Sequence, residues 1–306
     1  MSLRLSAIVI AKNEAHNIEA CLDSLAFCDE RIVVDGDSDD ATASLAEAKG
    51  ARVTIAREWH GFGHQKNLAL SLATGDWVLS LDADERVSQE LAAEIRTAMT
   101  EGLSDAYEMP RLSTFCGRPM RHSGWYPDYV LRLFRRGRAR FSDDLVHERV
   151  VCEGTVGRLK APLTHHPVLR LEDALSRMDR YSTARAEMIV KSGRRVSFFT
   201  GIVRGWWTFF QTYFIRLGFL DGREGFLLAM ANAEGTYYRY MKAWLKGASA
   251  GANQPARPRE SEAEAGQLDS RWSLSSDRAP SVPGGRPERI SDELASEDRL
   301  KGRDRG

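Results

Sequence analysis

Cysteine is scarce and carries no chemistry by its arrangement. Cys21, Cys28, Cys116 and Cys152 form no Cys-x-x-Cys pair and no Cys/His ligand spacing, which excludes a zinc ribbon and a thioredoxin-type redox site; four reduced thiols in a cytosolic compartment are expected. No excess of charge exists either, with 43 Lys and Arg against 43 Asp and Glu, so net charge points to neither nucleic acid nor an acidic partner. Phosphate-binding glycine loops are missing. No Gly-x-Gly-x-x-Gly follows an apolar run, which disfavours a dinucleotide oxidoreductase, and no Gly-x-x-x-x-Gly-Lys-Ser/Thr occurs, which argues against a P-loop enzyme. Long uncharged hydrophobic runs are missing too. The most apolar stretch, Val196 to Leu220, is broken by Arg204 and Arg216 with eleven uncharged residues between them, short of the roughly 20 a spanning helix needs. The N-terminus moves from Met1-Ser2-Leu3-Arg4 straight into a strand pattern, so no secretory signal is expected.

What is present is an alternating pattern. The 306 residues, 42% of them hydrophobic, suffice for one large domain with appendages. Leu5 to Ile10, Arg31 to Val34, Arg52 to Ile55 and Trp77 to Leu81 are short Val/Ile/Leu runs of the kind buried on both faces of a sheet. Helical segments at about 15–27, 41–49, 64–73 and 88–99 separate and follow them, the first placing Ile18, Cys21, Leu22 and Leu25 on one face. Strand and helix in alternation predict a doubly wound, mostly parallel α/β sheet. Polar clusters follow three strands: Lys12-Asn13-Glu14, Asp35 to Asp40, and Asp82-Ala83-Asp84-Glu85. In an open α/β sheet these ends lie on the ligand-binding edge.

Each cluster has a chemical and a structural reading. Asp82 and Asp84, at the end of a buried strand, offer hard oxygen ligands for a divalent cation on a diphosphate; acidic residues also end strands simply to meet water. Asp35 could accept from a base or ribose, while its neighbours Ser38, Asp40 and Thr42 fit equally well a turn that caps the next helix. Lys66 and Asn67 open a helix after Gly61-Phe62-Gly63, where a cation and the helix amides would meet a diphosphate; a solvated lysine is the plainer alternative.

Taken together, AIVIAKNEAHNIEACLDSL, VVDGDSDDAT, GFGHQKNLAL and ATGDWVLSLDADERV, in this order, resemble the nucleotide-binding half of the family 2 glycosyltransferases of the GT-A fold. Further on, YPDYVLRLFRRGRARF, DLVHERV and GFLDGREGF resemble the subgroup that extends the lipopolysaccharide or lipooligosaccharide core. The resemblance implies that Asp35 contacts the nucleotide base and that Asp82 and Asp84 hold the diphosphate through Mg²⁺ or Mn²⁺. It also implies inversion at the anomeric carbon, which needs a base opposite the leaving group. Many relatives carry a Glu-Asp pair in the acceptor region, and none occurs here. Asp128 and Glu148 are the two candidates for the base, and a salt bridge to Arg132 or Arg149 is the structural alternative for both. UDP-glucose is the expected donor. His165 and His166 are expected to make structural contacts, and Asp143 and Asp144 to sit in a solvated turn.

The rest of the chain divides by composition. Residues 1–105 are expected to be the nucleotide-sugar half and 106–170 the acceptor-side half of the catalytic domain. Residues 171–247 are expected to be a helical, membrane-peripheral extension, and 248–306 a disordered tail. Leu171 to Lys191 reads as an amphipathic helix burying Leu175, Met178, Tyr181 and Met188. Between Arg185 and Lys246 ten basic and four acidic residues are interleaved with Phe, Trp and Tyr. That pattern suits an interfacial helix on an anionic membrane surface, at the cytoplasmic face of an inner membrane and beside a lipid-linked acceptor; two helices packed on the protein's own core or on a dimer partner are the alternative. Asp221 to Gly225 reads as a turn, with a second helix from Phe226 to Leu245. Beyond Gly247, ten basic and eleven acidic residues stand among Ala, Ser, Pro and Gly, too polar to offset ordering entropy. Rival functions are a polyprenyl-phosphate glycosyltransferase, a phosphatase of the haloacid dehalogenase type, disfavoured by Arg86 after the Asp-x-Asp, and a non-catalytic membrane-associated binding protein.

Overall fold

The computed structural model describes residues 3–142, 149–168, 170–194 and 196–252. In chain order the elements are β1 Leu5–Ala11, α1 Ile18–Ser24, β2 Glu30–Asp35, α2 Thr42–Ala48, β3 Arg52–Ile55, α3 Phe62–Leu72, β4 Trp77–Asp82, β5 Glu85–Arg86 and α4 Gln89–Glu101. There follow β6 Ala106–Phe115, β7 Arg118–Pro119, β8 Asp128–Arg135, β9 Ala139–Phe141, β10 Val150–Cys152, β11 Val156–Arg158 and β12 Leu163–Val168. The helical remainder is α5 Leu171–Lys191, α6 Phe198–Phe210, a π turn Gln211–Ile215, a 3₁₀ turn Gly218–Asp221 and α7 Gly222–Ala252.

The sheet runs in the order β3-β2-β1-β4-β8-β6-β12-β5, with β7 and β11 also paired to β6. Its first four strands are mutually parallel, β8 is antiparallel to both β4 and β6, and β12 and β11 run parallel to β6. This is the expected doubly wound, mostly parallel α/β sheet, made mixed by the antiparallel β8. Both faces of the central strands are covered, which is why Ala7 and Val9 join one core while Ile8 joins the other. On the first face Ile18, Cys21, Leu22 and Leu25 pack with Leu91 and Ile95 of α4, in agreement with the helical spacing. On the second, Ala69 of α3 meets Phe134 and Phe141.

Three expectations about the C-terminal helices need correction. In α5, Leu175 and Met188 are exposed, and Ser182 and Ala186 are the buried residues instead. Part of the contact with α7 is a polar seam, in which Lys242 Nζ of α7 donates to Asp179 Oδ1 at 2.7 Å, Ser182 Oγ at 2.8 Å and Thr183 Oγ1 at 2.8 Å, while Met178 packs on Gly235. The segment 221–225 is not a loop, because α7 already begins at Gly222. Finally, α7 passes the expected start of the tail at Ala248 and ends at Ala252, a run whose alanines favour helix. The remainder of the expected disordered tail lies outside the described residues. No helix among the described residues is long and apolar enough to cross a membrane.

The helical unit is fastened to the sheet by a small apolar cluster of Phe115, Met120 and Leu228 and by Asp221. That carboxylate, 3% exposed, accepts from the Arg121 and His122 amides at 3.1 and 3.0 Å, from His122 Nδ1 at 3.0 Å and from Ser123 Oγ at 3.1 Å. The same corner depends on Gly225. A Cβ there would lie 2.0 Å from the Gly218 carbonyl oxygen, so backbone would have to move. Gly225→Ala is therefore expected to destabilise the fold by about 1–3 kcal/mol, the usual cost of overpacking, read as a lower denaturant midpoint with an unchanged slope.

Candidate active site

The strand order brings the three polar clusters together. β1 lies between β2 and β4 in registers that pair Ala11 with Asp35 and Ile10 with Asp82, so the two candidate acids flank the end of β1 at nearly the same level. The loops after β1 and β2 are zipped to each other: the Asn13 amide donates to Ser38 Oγ at 2.8 Å, and the Asp39 amide to Asn13 Oδ1 at 2.9 Å. Asp35, almost fully buried, accepts from the Ser38 amide and the Ser38 hydroxyl, both at 2.7 Å. The turn-closing reading of Asp35 is thus visible in the geometry. As an acceptor with about four lone-pair positions, the carboxylate keeps capacity for a ligand hydrogen bond.

From the end of β4 a chain of alternating charges runs across the sheet. Lys66 Nζ, near the start of α3, is 3.0 Å from Asp82 Oδ1. Arg132 Nη2, from the middle of β8, reaches Asp82 Oδ2 and Glu85 Oε1, each at 2.6 Å. Arg111 of β6 lies 3.8 Å from Glu85 Oε1 and holds Asp128 Oδ2 through Nη2 at 2.7 Å and Nε at 3.1 Å. Lys66, Asp82, Arg132, Glu85, Arg111 and Asp128 therefore alternate in sign. The antiparallel pairing of β4 with β8 places the start of β8 at the C-terminal end of β4, and β6 pairs Arg111 directly with Asp128. Asp128 is 39% exposed at the outer end of the chain; Glu85 is fully buried at its centre.

Burial works against a charge on Asp82, but Arg132 and Lys66 overcome it and hold the carboxyl well below the usual carboxylate range. Glu85 goes the other way: burial raises it, with Asp82 adding to the rise and Arg132 and Arg111 opposing. Glu85 also accepts from the Asp82 amide at 3.0 Å, which closes the Asp82-Ala83-Asp84-Glu85 turn on itself. Asp84 lies within that turn, with His165 Nε2 at 3.5 Å from Oδ2 and the other ring nitrogen at 2.8 Å from Ser113 Oγ. Burial lowers the His166 pKa, helped by the charge of Arg86. Burial also pushes Cys21, beneath the same strand end, up to about 12, the signature of an inert thiol.

A family model, glycosyl transferase family 2, matches residues 6–155. An uncharacterised glycosyltransferase of Rickettsia felis is 31% identical over 255 residues, 78% of this chain and 89% of its own. The lipopolysaccharide core biosynthesis glycosyltransferase LpsC of Rhizobium meliloti is 33% identical over 250 residues, 76% of this chain and 88% of its own. The chain belongs to glycosyl transferase family 2. It is an enzyme, a glycosyltransferase that draws its sugar from a nucleotide donor.

For this family 2 glycosyltransferase the predicted site residues divide into those the structure gathers and those it does not. Asp35, Lys66, Asp82, Asp84 and Asp128 share the edge at the strand ends. Asn67, next to Lys66 on α3, is engaged with the backbone of β9. Its side-chain amide donates to the Phe141 carbonyl and accepts from the Phe141 amide, both at 3.0 Å, clamping α3 to β9. Glu148, Asp143 and Asp144 lie outside the described residues. Arg132, named as a possible partner of Asp128 or Glu148, pairs with Asp82 and Glu85, and Arg111 holds Asp128. Glu85 and Arg111 join the site without having been expected there. The signal for Arg111 is a charged residue within the largely apolar β6, which cannot stay buried without a partner, and the signal for Glu85 is its place in the acidic cluster that follows β4.

The donor set fits a divalent cation only in part. Among the described residues no group of three or more His, Cys, Asp or Glu side chains could hold a metal, and both Asp82 oxygens already accept from cations. A magnesium-type ion requires no protein cage, since one or two carboxylates complete a sphere of substrate phosphates and water. Asp84 fits that smaller requirement.

Proposed function

We propose that this glycosyltransferase moves a hexose with inversion from a nucleoside diphosphate sugar, UDP-glucose being the leading donor, to a hydroxyl of a lipopolysaccharide-core or other lipid-linked acceptor. The observation that carries the reading is the buried ionic chain, which ties the donor-side acid Asp82 to the partly exposed Asp128 on the acceptor side. The acceptor class is supported by the name of the Rhizobium meliloti relative. Asp35 accepts from the base or ribose. Lys66, beside Asp82, meets the diphosphate, and Asn67 holds α3 to β9 beside it. A Mg²⁺ or Mn²⁺ ion held by Asp84, with Asp82 in support, would neutralise charge on the departing diphosphate. Asp128 takes the proton as the acceptor oxygen bonds to the anomeric carbon and the bond from that carbon to the diphosphate breaks; Glu148 is the alternative base.

Calorimetric titration with UDP, ADP, GDP and CMP, each with Mn²⁺ and with excess chelator, tests the donor side. One nucleotide, expected to be UDP, binds only with the ion present. In Asp84→Asn that affinity falls by at least the roughly 10–100-fold that loss of even an outer-shell partner costs a metal site. Equal binding in chelator, or an unchanged affinity in Asp84→Asn, removes the metal from this reading.

A further inference from the structure

The two C-terminal helices are packed inside out. α6 sets its small residues against α7: Cβ atoms on Gly201 and Gly205 would lie 3.2 Å from the Tyr237 and Ala233 carbonyl oxygens respectively, and Thr208 bonds to Thr236 at 3.3 Å. The large residues point the other way. Phe199, Val203, Trp206, Trp207, Phe210 and Phe214 follow one another at helical spacing and are all exposed, Phe199 by 71% and Trp206 by 72%. A helix pair stabilised by water would bury such a stripe. Close backbone contact through small residues with apolar groups outside is the arrangement of helices packed in lipid.

The apolar face continues beyond α6. Leu217, Phe219, Leu220 and Phe226 are exposed along the following turns, and a recess of about 550 Å³ between Tyr213, Phe219, Phe226 and Leu227 has Arg223 on its lining. The charge around this face is one-sided. Of the four acids between Arg185 and Lys246, three are paired, Asp221 by the 121–123 turn, Glu224 with Arg118 at 3.5 Å and Glu187 with Lys246 at 2.7 Å, and the fourth, Glu234, is only partly exposed, while Arg204 and Arg223 stand exposed at its border.

We infer that this face is a docking surface for an anionic phospholipid bilayer, on which α6 lies in the interface with its aromatic stripe in the acyl boundary and its arginines at the headgroups. A second copy of the chain fits less well, because a two-fold contact through this face would set a rim of arginines against a rim of the same sign. The purpose of the docking, though not its geometry, rests on the proposed lipid-linked acceptor. Asp221 makes the link: it fastens the docked helices to the 121–123 turn, a few residues ahead of Asp128, so the acceptor side of the cleft is held at a fixed height above the bilayer.

The test uses the full chain and sedimentation with vesicles of phosphatidylethanolamine and phosphatidylglycerol, against vesicles of phosphatidylcholine alone. The protein is expected to partition at least tenfold more strongly to the anionic vesicles, with a blue shift of its tryptophan emission, and to be released by salt. The double variant Phe199→Ser/Trp206→Ser changes two outward residues; it is expected to lose at least tenfold in partitioning while keeping its melting curve and its nucleotide binding. Equal partitioning by the variant, or no partitioning by the wild type, overturns the inference. A dimer that the same substitutions dissociate, without vesicle binding, assigns the face to a second copy and also overturns it. Vesicle binding without any nucleotide binding leaves the docking surface standing and removes the proposed function alone.

Discussion

Asp128→Asn is expected to lower kcat by about 10²–10⁴-fold, the range a general base contributes, with metal-dependent nucleotide binding unchanged. The substitution keeps the size of the side chain and one acceptor oxygen for Arg111, but an amide cannot take the acceptor's proton. The position supports a chemical role over a structural one. Asp128 is 39% exposed where it pairs with Arg111 at 2.7 Å, and an exposed pair of that kind is worth only about 0–1 kcal/mol. The variant should therefore melt close to the wild type and lose turnover without losing donor affinity. A large change in melting, or a loss confined to donor binding, would identify Asp128 as a strut of the ionic chain. The companion variant Glu148→Gln separates the two candidate bases: a full loss there, with Asp128→Asn active, moves the proton acceptor to Glu148.

The parallel half of the fold is legible in the sequence because its strands are buried on both faces and its helices on one. Ile8 between Ala7 and Val9, or Cys21 and Leu22 one turn from Ile18, have only one burial pattern compatible with their surroundings, and the structure shows it. The strand-end acids are legible for a related reason, since Asp35 and Asp82 terminate apolar runs and must meet a partner or a ligand. Residues whose partners come from distant strands cannot be read in this way. Nothing local in Leu131-Arg132-Leu133 states that its guanidinium crosses to Glu85 and Asp82, because that depends on β8 entering the sheet between β4 and β6. The Asn67 clamp is hidden for the same reason. Its place beside Lys66 suggests a phosphate, while its partner, the Phe141 backbone, is 74 residues away. The C-terminal helices mislead through their environment: a rule for helices in water assigns Leu175 and Met188 inward, and both are exposed.

Arg132→Met is expected to be the most destabilising single change in the molecule that leaves the apolar core intact. Arg132 is shared by Asp82 and Glu85 at 2.6 Å each, and removing one member of a buried ion cluster strands the others, which costs about 3–5 kcal/mol. At about 2–4 °C per kcal/mol for a domain of this size, the melting temperature should fall by several degrees to well over ten. The pH dependence identifies the cause. In the wild type Asp82 is held below its unfolded value, so its contribution to stability is present above about pH 4, the ordinary carboxylate range, and is lost as the pH falls further through the folded value. In the variant the largest charge opposing burial at both acids is gone; Lys66 still holds Asp82, while Glu85, which burial already raises in the wild type, is pushed further above its unfolded value. A group raised in this way costs nothing while protonated and destabilises increasingly as the pH rises. The gap between wild type and variant should therefore be widest near pH 7 and close toward pH 4–5. Adding Glu85→Gln should recover part of the deficit at neutral pH, because it removes the more poorly compensated of the two charges while Lys66 still meets Asp82. A deficit that stays constant with pH, with no recovery in the double variant, would mean that Arg132 acts through packing, and the ionic link between the donor and acceptor sides would lose its energetic basis.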